Sequence, residues 1–100
     1  MEGICGGTGA QKVADAEVQE ICDKVKAEFL EKSGVNTSLF KAVSYKTQQV
    51  AGTNYFIKVN IGDDKCVHIR VYRIVGEQME ALRFDSFLLD KTMEEEIVYF

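Results

Sequence analysis

Proline is absent from this chain, histidine occurs once, and cysteine occurs only three times, as Cys5, Cys22 and Cys66. With no pyrrolidine ring to fix φ, every turn must be shaped by glycine and short polar residues. An odd number of cysteines without CxxC spacing fits reduced thiols in an intracellular protein better than a disulfide framework. One histidine and three dispersed cysteines also lack any zinc spacing, so neither a metal nor another cofactor is implied. Basic clusters are missing too. Lysine and arginine number 12 against 16 acidic residues, for a net charge of -4. That removes the electrostatic footprint of a nucleic-acid binder and gives no attraction to an anionic membrane. No apolar run approaches the roughly 18 residues of a membrane-crossing helix. The opening Met1 to Thr8 has neither a basic start nor an apolar block, so it does not read as a secretory signal. The expectation is a cytoplasmic protein with neither nucleic acid nor membrane as partner.

What is present is the composition of a folded domain, with 46% hydrophobic and 28% charged residues. One hundred residues make a single domain, 1–100, with one core and little room for a deep enclosed active site. Residues 1–13 hold four glycines and no strong periodicity, which predicts a flexible segment. Ile4 and Cys5, just before Gly6 and Gly7, are its only adjacent non-polar pair. Composition describes a frayed end; the sharper alternative is a segment that a partner orders.

From Asp15 a helix is signalled. Asp15 is a good N-cap, Glu17 suits the positive end of the dipole, and Val18, Ile21, Cys22, Val25 and Phe29 recur at helical spacing. Ser33 and Gly34 supply the stop. Cys22, on the apolar stripe, reads as a small buried hydrophobe.

After Gly34 the period changes to two. Residues 39–48 and 53–61 read as strands, the second half-buried with Tyr55, Ile57, Val59 and Ile61 opposite Phe56, Lys58 and Asn60. Gly62 to Lys65 is turn chemistry, Cys66 to Ile74 a third strand, Val75 to Gln78 a break, and Ala81 to Leu89 a fourth strand. Asp90 to Thr92 begins a connection. Ile97-Val98-Tyr99-Phe100 is β-prone and reads as a last strand or edge extension. The predicted fold class is α+β, one N-terminal helix packed across an antiparallel sheet of four to five strands. Hairpin turns alternate between the ends of a meander, so the turns at 48–52 and 75–78 share one end and that at 62–65 takes the other.

Between the first two strands lies Gln48-Gln49-Val50-Ala51-Gly52. Gly52 can take a positive φ, and Val50 with Ala51 gives the turn a small apolar tip suited to a cleft. This run, continued by Thr53-Asn54-Tyr55-Phe56-Ile57-Lys58-Val59, resembles the Gln-Val-Val-Ala-Gly loop and following strand of the stefins. These are the type 1 branch of the cystatin superfamily of cysteine-protease inhibitors. Val18 to Lys26 is similar to the stefin helix, Phe40 to Thr47 to the strand before the loop, and Tyr99-Phe100 to the closing pair.

The resemblance implies a cystatin-like fold and reversible, tight-binding inhibition of papain-like cysteine peptidases such as cathepsins. It implies a wedge of three parts. Gly6 corresponds to the glycine of an N-terminal trunk, with Ile4 and Cys5 placed for non-primed subsites. Gln48, Val50 and Gly52 match the fixed positions of the first loop, with Gln49 and Ala51 beside them. Val75 and Gly76 occupy the second loop, where many stefins have Leu-Pro. Gly76 leaves that loop freer than proline would, which implies a smaller contribution on docking. Gln49 replaces a common valine, and its polar group either points to solvent or meets the polar rim of the cleft.

Rival readings are less well supplied. An enzyme would use Cys66 or Cys5 as nucleophile with His68 as base. Cys66 and His68 lie two apart on a strand and share a face, but no third group to orient the base is identifiable. A structural or surface role suits His68 better. The remaining alternative is a noncatalytic cystatin-fold interaction module with inhibition lost or redirected. A monomer is expected. Cys5 offers an intermolecular disulfide on oxidation, and opening of the first loop offers a domain-swapped dimer by hairpin exchange.

Overall fold

Asp15 starts the helix as its position in the sequence requires. In the computed structural model, which describes residues 10–76 and 80–100, its carboxylate accepts from the Val18 amide at 2.9 Å. That satisfies one of the free N–H groups at a helix start. Helix α1 runs Ala16–Ser33 and ends on Gly34, whose φ of 76° turns its N–H back to the Leu30 carbonyl. Its inward stripe is Val18, Ile21, Cys22, Val25 and Phe29, the five residues that the spacing picks out.

Five strands follow the chain as an antiparallel meander: β1 (Lys12–Val13), β2 (Lys41–Val50), β3 (Gly52–Gly62), β4 (Lys65–Val75) and β5 (Glu80–Thr92). The helix lies across one face and packs on Phe40, Ala42, Ile57, Val59, Val67, Ile69, Val71 and Phe84. Phe29 anchors the crossing, its ring centroid 5.2 Å from Phe40 and 5.5 Å, edge-on, from Phe87. The expected α+β architecture is the one observed. Among the described residues, no helix is long and apolar enough to cross a membrane.

Three local expectations are corrected. The segment Ile97-Val98-Tyr99-Phe100 is not a strand. Residues 93–100 instead form a strap over the sheet face opposite the helix, because side chains rather than a neighbouring strand take up its backbone. Lys58 Nζ donates to the carbonyls of Met93 and Glu95, and Arg70 donates to that of Phe100. The Phe56 ring meets Tyr99 and Phe100 edge-on, each at 5.6 Å. The strap buries Ile97.

As a consequence β3 is not half-buried. Phe56 and Lys58 are each only 1% exposed, although alternation alone puts them on a solvent face. Lastly, Lys12 and Val13, read as the end of a flexible segment, pair with Tyr45 and Ser44 at the sheet edge. Both side chains stay exposed, so the pairing is made by backbone alone and leaves no mark in composition. The strands also reach further than the sequence suggests. Notably, β5 continues through Asp90, at φ 60°, to Thr92.

Candidate functional site

Pairing of β2 with β3 continues to Gln49 with Thr53 and Val50 with Gly52, so Ala51 alone forms the tip of the first hairpin. So sharp a reversal depends on Gly52, which has a φ of 111°. A Cβ there would lie 2.6 Å from Tyr72 Oη and 2.9 Å from the Arg73 carbonyl oxygen. Val50 is 48% exposed and Ala51 is exposed, which gives the small apolar tip that the sequence suggests.

The two glutamines behave differently. Gln48 is drawn into the sheet: its Oε1 accepts from Asn54 Nδ2 at 2.9 Å and its Nε2 donates to Tyr99 Oη at 2.8 Å. Gln49 lies exposed, its Oε1 accepting from Thr53 Oγ1 at 2.7 Å. Its polar end is therefore folded along the hairpin toward its cross-strand partner.

Thr53 pairs with Arg73, so the start of β3 lies beside the end of β4. Val75 and Gly76 therefore stand at the same end as the first tip, as meander geometry requires. Val75 is 65% exposed. Ile74, 40% exposed beside it, was not singled out in the sequence, where it reads as the last interior residue of a strand. Residues 77–79 lie outside the described residues, as do Ile4, Cys5 and Gly6 of the expected trunk. The direction of β1 bears on that trunk. Because β1 is antiparallel to β2, its N-terminal end is the end nearer Val50.

Arg73 braces this end from within. Its Nη1 is 2.5 Å from Glu17 at the helix start, and its Nε is 2.7 Å from Glu80 at the start of β5. The hydrogen bond to Glu17, with a second to Tyr55, raises its already high pKa. The Gly62 to Lys65 turn, with Asp63 and Asp64 at φ 54° and 60°, lies at the opposite end of the sheet.

Nothing at Cys66 and His68 resembles a nucleophile and its base. Both are buried beneath the strap. Burial pushes the Cys66 thiol up, and burial with Lys58 and Lys91 pushes the His68 imidazole down to about 4. A thiolate–imidazolium pair needs the reverse of both shifts. Burial likewise raises Cys22, to about 12, in keeping with an inert core thiol. Among the described residues, no group of three or more histidine, cysteine or acidic side chains is placed to hold a metal ion.

One helix across a five-stranded meander, with the exposed apolar tip of the first hairpin and the exposed Val75 at one end, is the cystatin-like architecture. The cystatin domain model matches residues 6–94, and the chain belongs to the cystatin family, whose members are protease inhibitors and not enzymes. Cystatin-B of Mus musculus is 42% identical over 97 residues, which cover 97% of this chain and 99% of that protein. Cystatin-B of Homo sapiens, at 41%, and of Bos taurus, at 42%, align over the same shares.

Proposed function

We propose that this chain is a reversible, tight-binding inhibitor of papain-like cysteine peptidases of the cathepsin type, acting as a single-domain monomer in the cytoplasm. The observation that carries the reading is the shape of the first tip. Val50 and Ala51 project from a hairpin paired to its last residue, and the exposed Val75 stands at the same end.

Such a peptidase holds its thiolate in a V-shaped cleft, and an inhibitor need only fill that cleft without offering a peptide bond in attack geometry. Small residues let the tip backbone approach the cleft walls. The paired strands hold it in one shape, so docking costs less ordering than a free peptide would suffer. Val75 and Gly76 add a second contact. Ile4 and Cys5 before Gly6 fill the non-primed side, where burial of Ile4 is worth roughly 1.5–3 kcal/mol. Binding comes from fit and apolar burial, with no covalent step.

The test is a panel of inhibition constants against papain-like endopeptidases and exopeptidases. Competitive, reversible, tight inhibition is expected, weaker against exopeptidases, whose clefts are partly occluded and demand more of the second loop. A folded protein that leaves papain fully active at micromolar concentration would instead be a noncatalytic interaction module.

A further inference from the structure

Immediately behind the first tip, a row of side chains crosses the sheet on the strap side, one from each long strand. The register places Gln48 opposite Asn54, Asn54 opposite Tyr72, and Tyr72 opposite Arg83. Side chains join it in two pairs. Asn54 donates to Gln48 at 2.9 Å, and the Arg83 guanidinium stands 4.8 Å above the Tyr72 ring. Asp85 fixes that guanidinium, accepting from its Nε at 2.5 Å. From the middle of the row the Tyr72 hydroxyl donates to the Ala51 carbonyl. The same hydroxyl lies 2.6 Å from where a Gly52 Cβ would be.

We propose that Tyr72 is a positioning residue for the first loop: its phenol clamps the Ala51 carbonyl, Arg83 clamps the ring, and the tip is held in its docking shape before any peptidase arrives. This rests on the inhibitory role proposed above, and assigns to β4 and β5 a part in it that their own hairpin tip does not explain. Ala51 is the one residue of the hairpin outside strand pairing, so its carbonyl has no ladder partner to fix it. Without the phenol that carbonyl turns to water and the tip samples other shapes. The apparent affinity then falls in proportion to the fraction of molecules in the competent one. The net worth of one such hydrogen bond corresponds to roughly a three- to tenfold effect.

Tyr72→Phe tests the clamp, because it keeps the ring beneath Gly52 and under Arg83 and removes only the donor. Amide hydrogen exchange at Ala51 and Gly52 should accelerate at least about threefold, while Val59 and Ile69 in the core stay unchanged. The inhibition constant against papain should rise about three- to tenfold, mainly through slower association. Arg83→Ala should move both readings in the same direction by less. Unchanged exchange at the tip in Tyr72→Phe overturns the clamp, and faster exchange with an unchanged inhibition constant overturns its part in inhibition. If the unaltered protein inhibits no peptidase, the proposed function fails, and the exchange comparison still decides whether Tyr72 orders the tip.

Discussion

His68→Leu should remove an acid-sensitive point from the fold. His68 is 1% exposed, and neither ring nitrogen has a hydrogen-bond partner among the described residues. Burial holds its pKa down to about 4; Lys58 on β3 and Lys91 on β5 push the same way, and Glu95 on the strap opposes them. The native protein thus keeps a neutral ring, whereas the unfolded chain protonates near 6.5. Between those two values the unfolded state binds more protons, so stability falls as pH falls. The contribution is fully present above about 6.5 and is lost progressively toward 4. The separation is worth ~3 kcal/mol, a substantial share of the roughly 5–15 kcal/mol typical of a small domain. Urea unfolding at pH 7, 5.5 and 4 measures it. The wild-type protein should lose ~2–3 kcal/mol more than His68→Leu over that range, since the variant has no buried imidazole to protonate. Two parallel declines, agreeing within ~0.5 kcal/mol, would refute the reasoning.

Gly52→Ala must place a Cβ against Tyr72 and Arg73 at a φ that favours glycine. It should cost ~1–3 kcal/mol in urea unfolding and at least about tenfold in inhibition; wild-type inhibition by the folded variant would remove the case for the tip. Lys58→Met strands the Met93 and Glu95 carbonyls. A loss of ~1–3 kcal/mol and faster proteolytic cleavage within residues 93–100 are expected, and an unaltered cleavage pattern would count against the strap. Deletion of residues 1–6 should raise inhibition constants by about tenfold or more, given the burial available to Ile4. Equal constants for the truncated and full chains would dismiss the trunk.

The helix and the first tip were legible because their signals are local. Asp15, the five-residue stripe and Gly34 specify α1 without help from elsewhere, and Gly52 announces a reversal wherever the strands end. The outer face of the sheet was not legible in the same way. Alternation assigns Lys58 to solvent and leaves His68 between a structural and a surface role because it sees one strand at a time, while the segment that covers them lies 25 or more residues on and has no period of its own. Ile74 was missed for a related reason, since its exposure depends on its place at the sheet's end, not on its neighbours in the chain. The clamp on Ala51 joins residues 21 apart and shows only when the cross-strand register is known.

The strap also sets an order of events. During synthesis the helix and all five strands are available before residues 93–100, and consecutive antiparallel strands need only short loops to pair. The meander can therefore form with its outer face still open, leaving Phe56 in water and the Lys58 ammonium without the carbonyls that later hold it. Arrival of the strap then seals that face and, through Tyr99 on Gln48, reaches the base of the first hairpin. A nascent chain halted just short of residue 93 would thus display its hairpin while one face of its sheet stays open to other chains, which makes residues 93–100 the segment that closes off self-association.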